Sequence, residues 1–215
     1  MSVHNLKNFI NISNSIKKIS NKVNIIAVTK TFPLEIVRPL IDYGHLHYGE
    51  NQVLEAINKW SNLLKNNNAI KLHMIGHLQS NKVKEAVSIF SYIHSLDSEK
   101  LASKISFEQN KIKKSIKLFI QVNIGNENQK NGIRITEVSS FLKLCIFKYK
   151  LDIVGLMCIP PVNQDPSPYF NLLKELALNN NLSNLSMGMS GDYLKAIKCG
   201  SSYVRIGSAI FGKRN

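Results

Sequence analysis

Arginine is scarce: four residues against 24 lysines, in a chain of 215 residues with a formal net charge of +14. Arginine is the better residue for bidentate contacts to phosphate and guanine, and the lysines are dispersed rather than gathered in a block. The basic balance therefore does not point to specific nucleic-acid binding. Asn (25), Ile (26) and Lys (24) make up 75 of the 215 residues, the skew that an A/T-rich coding bias leaves. Cysteine is equally sparse. Cys145, Cys158 and Cys199 are odd in number and include no C-x-x-C, which excludes a disulfide framework or a zinc ribbon and suits a reducing cytosol. No window approaches the roughly 18 apolar residues of a membrane span. The first twenty residues scatter Lys7, Lys17 and Lys18 and hold no compact apolar core or small-residue cleavage site, so a secretory signal is not expected. No low-complexity linker divides the chain, and one domain over 1–215 is expected.

What is present is 44% apolar and 20% charged residues, a globular composition, arranged in a repeating beat of short apolar run, turn and amphipathic stretch. A leading helix over 5–20 precedes strands at 25–28, 45–48, 71–75, 90–94, 117–122, 151–156, 182–187 and 202–206. Helices follow at 33–43, 50–65, from 81, 98–113, 136–147, 167–179 and 191–198. Eight strands alternating with helices predict a (β/α)8 TIM barrel with an extra N-terminal helix. An open doubly wound sheet is the alternative, but its first turn would be glycine-rich, and here it reads Thr29-Lys30-Thr31-Phe32-Pro33.

Working residues of such a barrel stand at the C-terminal ends of strands. Lys30 follows the first strand, where partial desolvation would free its amine to condense with a carbonyl as a Schiff base. Ser186 to Asp192, after the seventh strand, and Arg205 to Ala209, ending the eighth, both combine glycine with hydroxyls. Such loops can present backbone N–H groups to a phosphate. Arg205 could bind an anion or donate to a heteroaromatic nitrogen. An amine facing a phosphate cup suits pyridoxal 5'-phosphate (PLP), which has an aldehyde and a phosphate. Other readings compete with this one. His45-Leu46-His47, with His73 and His77, could serve a metal-dependent hydrolase, although no carboxylates gather around the pair. Glu50 and Asp192 read as a hydrogen-bond partner and a helix N-terminal charge. A scaffold protein would bind no chromophore.

These residues resemble the pyridoxal phosphate homeostasis proteins, which share the fold of the alanine racemase N-terminal domain. The likeness runs from about 24 to 212. It is carried by Ala27-Val28-Thr29-Lys30-Thr31, Tyr48-Gly49-Glu50-Asn51, the stretch His73-Met74-Ile75-Gly76-His77-Leu78-Gln79-Ser80-Asn81-Lys82, His94-Ser95-Leu96-Asp97, Gln121-Val122-Asn123 through Glu127 with Lys130 and Gly132, Gly155-Leu156-Met157, Ser186 to Ser190 and Arg205 to Gly212. The resemblance implies that Lys30 holds PLP, that Ser190, Gly207 and Ser208 bind its phosphate, that Arg205 faces the pyridine nitrogen and that Asn51 lies near the ring. It also implies a non-catalytic, cytoplasmic carrier that buffers PLP or delivers it to PLP-dependent client enzymes. Leu54 and Leu72 depart from the family's usual glutamine and aromatic residue. A PLP-dependent amino-acid racemase is the alternative. Racemases add a C-terminal β-domain with a catalytic tyrosine and a dimer contact. The chain ends at Asn215, soon after the eighth strand, so neither is expected here and a monomer is.

Overall fold

A computed structural model describes residues 2–212. Helix α1 (Ser2–Lys17) is followed by eight parallel strands: β1 (Asn24–Val28), β2 (His47–Glu50), β3 (Lys71–Met74), β4 (Tyr92–Leu96), β5 (Lys117–Gln121), β6 (Asp152–Met157), β7 (Asn184–Met189) and β8 (Tyr203–Ile206). They close into a barrel in sequence order, with β1 hydrogen-bonded to both β2 and β8. The helices on the outside are α2 (Leu34–Asp42), α3 (Val53–Asn66), α4 (Val83–Ile89), α5 (Glu99–Lys111), α6 (Val138–Lys143), α7 (Ser167–Asn179) and α8 (Tyr193–Lys198), with a short α9 (Ser208–Phe211) after the last strand. This is the (β/α)8 barrel the sequence predicts; the open sheet is excluded by closure. The predicted domain limits reach Met1 and 213–215, which lie outside the described residues.

The strand period explains both layers of the core. Ile25, Ala27, Tyr48, Leu72 and Ile93 point outward and pack against helices, while Ile26, Tyr92, Phe119, Met157 and Tyr203 form a separate cluster inside the barrel. Burying this much apolar surface contributes about 25 cal/mol for each Å² withdrawn from water. The leading helix packs on α2 and α9, where Asn8 Nδ2 donates to the Ile210 carbonyl at 3.1 Å.

The clearest departures from the sequence reading are these. β2 starts at His47, not 45, so His45 lies outside the strand and the two rings do not alternate along it. β4 runs two residues later because Phe90 closes α4, its N–H donating to the Ala86 carbonyl. β7 extends to Met189, so Ser186 to Met189 are strand rather than loop. The helix expected over 136–147 is a 3₁₀ turn, α6 and a π-helical turn over Leu144–Lys148.

Candidate functional site

Lys30 is the second residue after β1 and shares the inward parity of Ile26 and Val28. Its two neighbours are pinned. Thr29, fully buried, donates its hydroxyl to Glu50 Oε1 at 2.6 Å, and its carbonyl accepts from Lys59 Nζ at 2.8 Å. Thr31 has φ of 68°, an uncommon value for a β-branched residue, and its N–H donates to Glu55 Oε1 at 2.6 Å. Glu50 Oε1 also accepts from Lys59 Nζ and Trp60 Nε1, both at 2.9 Å. Carboxylates from β2 and α3 thus hold the backbone on each side of Lys30. Glu50 is the hydrogen-bond partner the sequence suggested.

Across the barrel mouth, Ser190 directly follows β7. Its Oγ accepts from the backbone nitrogens of Gly207 at 3.2 Å and Ala209 at 3.3 Å. Two N–H groups therefore converge on one oxygen at the cavity edge, a geometry equally suited to a phosphate oxygen. Gly207 is close to β1: a Cβ there would sit 3.3 Å from the Val28 Cβ. Asp192 Oδ1 accepts from the Met189 N–H at 2.6 Å and so closes the turn after β7 at the start of α8.

Arg205 is 5% exposed, deep in the barrel rather than in a surface ion pair. Its Nη1 donates to the Ser186 carbonyl at 2.8 Å and to Ser186 Oγ at 2.7 Å; its Nη2 donates to the Cys158 carbonyl at 3.0 Å. Burial lowers its pKa, but a guanidinium keeps its charge in proteins. Beyond Ser186, three imidazoles continue the line. His94 Nδ1 is 2.8 Å from Ser186 Oγ, His73 Nδ1 is 2.9 Å from His94 Nε2, and His47 Nδ1 is 2.9 Å from His73 Nε2. Burial holds His73 and His94 well below the usual histidine value, and His45 and His47 at about 4, so all four are neutral at pH 7. The facing nitrogens of His47, His73 and His94 bond to one another, and His45 Nε2 bonds to the His47 carbonyl at 2.8 Å. Among the described residues, no group of three or more His, Cys, Asp or Glu is arranged to hold a metal ion.

A cavity of about 520 Å³ at the C-terminal end of the strands is lined by Lys30, Asn51, Ser190, Arg205, Gly207 and Ser208. All six residues singled out in the sequence meet there. Gly76 brings Asn51 close: a Cβ on Gly76 would lie 2.4 Å from the Asn51 carbonyl oxygen. The two departures lie elsewhere. Leu72 is buried facing the helices, and Leu54 is 55% exposed on α3. Sequence reading missed that Ser186 bonds Arg205 and that His94 and His73 continue the same hydrogen-bonded line. The available signal was polar residues at inward-facing strand positions.

The chain matches the family model for the alanine racemase N-terminal domain over residues 5–215. It is 34% identical over 209 residues to the pyridoxal phosphate homeostasis protein of Pasteurella multocida, covering 93% of this chain and 90% of the relative. Its structure is similar to that of PipY from Synechococcus elongatus with PLP bound (TM-score 0.82, 30% identity, 94% of this chain and 98% of that one). An alanine racemase from Clostridium difficile shares the fold at 14% identity (TM-score 0.76), with 98% of this chain aligned to 57% of that one. By these matches, the chain belongs to the alanine racemase N-terminal domain family and, within it, to the pyridoxal phosphate homeostasis proteins.

Proposed function

We propose that this chain binds PLP reversibly through Lys30 and takes part in PLP homeostasis as a carrier, not as a turnover enzyme. One observation carries the reading: Lys30, the Ser190–Gly207–Ser208 rim and Arg205 line a single cavity. The curated relatives named for PLP homeostasis, and PipY with PLP bound, support it. PLP would supply an aldehyde here, which the Lys30 amine is placed to capture reversibly, with water as the group released. The chain's own residues do the rest. Thr29 and Thr31, fixed by Glu50, Lys59 and Glu55, hold the chain on both sides of Lys30 at the cavity. Ser190, Gly207 and Ser208 would hold the phosphate, and Asn51 would stand near the ring.

Arg205 decides between carrier and catalyst. A permanent cation at the pyridine nitrogen disfavours protonation there by like-charge repulsion and so weakens the ring as an electron sink. Racemisation also needs an acid or base on each face of the substrate. Besides Lys30 and Arg205, the titratable side chain lining the cavity is His77, whose side chain is 52% exposed and whose Nδ1 lies 3.6 Å from Asp97 Oδ2. That favours carriage over the racemase alternative. On this reading the chain works as a cytosolic monomer that passes PLP to client enzymes, and its three buried free cysteines suit that compartment.

Borohydride reduction of the loaded protein followed by peptide mass mapping tests the assignment. A single adduct on Lys30 is expected, and Lys30→Ala should purify colourless. An adduct only on Lys71, Lys82 or Lys130 would refute the attachment.

A further inference from the structure

The barrel interior is where the structure departs most from an ordinary barrel. Layers of branched apolar side chains normally fill it. Here a polar string crosses it: His47 from β2, His73 from β3, His94 from β4, Ser186 from β7 and Arg205 from β8. His73, His94 and Ser186 are fully buried. Two rings are also clamped by stacking, His73 on Tyr92 (4.3 Å, 11°) and His94 on Phe119 (4.4 Å, 17°). Nothing in carrying PLP on Lys30 calls for this string.

Its polarity follows from the donor inventory. A guanidinium has five N–H donors and no acceptor. Arg205 Nη1 therefore donates to Ser186 Oγ. The Ser186 hydroxyl hydrogen has one remaining partner, His94 Nδ1, which must accept. His94 then carries its proton on Nε2 and donates to His73 Nδ1. By the same step, His73 donates from Nε2 to His47 Nδ1. In the reverse direction the Ser186 hydroxyl hydrogen would be stranded without an acceptor in a sealed core, so the forward form is favoured by about tenfold or more. Burial keeps the imidazoles neutral, as this scheme requires.

We propose that His47–His73–His94–Ser186–Arg205 is a one-way hydrogen-bond wire whose direction is set by Arg205, and that Ser186 and His94 are positioning residues for that guanidinium. The wire does not conduct protons, because its Arg205 end has no lone pair to receive one. It holds Nη1 at the cavity floor in one orientation. The wire itself is independent of any ligand. Its effect on a bound ring rests on the PLP reading above.

Imidazole 15N spectra of the full chain, free of PLP, read the wire directly. All three histidines are expected to be protonated on Nε2 alone at pH 7. An Nδ1–H tautomer or an imidazolium at any of them overturns the proposal, and this measurement needs no variant. Ser186→Ala removes the group that transmits the direction, so His94 and His73 should become tautomer mixtures, while Ser186→Thr, which keeps the hydroxyl, should retain the single form. Unchanged tautomers in folded Ser186→Ala refute control from Arg205. With ring-15N PLP bound, Ser186→Ala should also shift the N1 resonance. A fixed N1 resonance in that variant refutes the positioning role, whereas a failure of the PLP reading appears separately in the borohydride map.

Discussion

Glu50 Oε1 lies 2.6 Å from the hydroxyl of Thr29, the residue before Lys30, and both side chains are fully buried. The same oxygen accepts from the Lys59 ammonium and the Trp60 indole. Glu50→Leu would strip the Trp60 indole N–H of its acceptor, leave the Thr29 hydroxyl with only a 3.5 Å contact to the Gly49 carbonyl, and leave the Lys59 ammonium with Glu55 and the Thr29 carbonyl alone. Breaking a buried ion pair on one side costs about 3–5 kcal/mol. Urea unfolding should show a loss of that order. Glu50→Gln keeps one carbonyl acceptor and should lose less, about 1–3 kcal/mol. If Glu50→Gln left both stability and PLP retention unchanged, Glu50 would not be what positions Lys30.

Two glycines of the same cavity should behave oppositely. A Cβ on Gly76 meets the Asn51 backbone at 2.4 Å, whereas a Cβ on Gly191 meets nothing within 4 Å. Gly76→Ala must move the backbone that carries Asn51 and should cost about 1–3 kcal/mol, with weaker PLP retention. Gly191→Ala should stay within about 0.5 kcal/mol of the parent chain. Thermal unfolding of the pair, measured side by side, checks the contrast.

The barrel was legible because its outward strand faces are apolar and its helices amphipathic, so the beat of strand and helix survives in the sequence. The boundaries slipped where the inward face is polar. His47 and Gly49 in β2, and Ser186 and Gly188 in β7, interrupt the apolar run that marks a strand. The cavity residues were visible as local motifs: a lysine after a strand, and glycine–serine turns. The wire was not visible. Its members lie on different strands, with His94 and Ser186 separated by 92 positions, and only barrel closure brings them together.

The buried histidines set a pH dependence of stability. His45 and His47 titrate at about 4 in the folded chain, and His73 and His94 lower than usual, against about 6.5 when unfolded. Between those values the unfolded chain binds more protons than the folded one, so stability rises with pH there. It is therefore fully present above about pH 6.5 and is lost as pH falls toward 4, at up to about 1.4 kcal/mol per pH unit for each histidine. The urea midpoint should be level from pH 8 to 7 and fall steeply from 6.5 to 5. A level midpoint down to pH 4.5 would mean that these rings take up protons in the fold as readily as in the unfolded chain.

Ser190 allows the phosphate side to be tested apart from Lys30. Its Oγ accepts from the Gly207 and Ala209 N–H groups at the cavity rim, where water can replace it, so Ser190→Ala should cost the PLP-free chain only about 1 kcal/mol. Loss of a hydroxyl from the phosphate cup should weaken PLP more, because hydrogen bonds to a charged acceptor contribute about 1.5–3 kcal/mol. Pyridoxal, which has the aldehyde but no phosphate, supplies the control. The parent chain should prefer PLP over pyridoxal, and Ser190→Ala should shrink that preference by about tenfold or more, read by titrating each vitamer and following absorbance. An equal loss for both would place Ser190 in the scaffold of the loop and leave Gly207 and Ser208 to hold the phosphate alone.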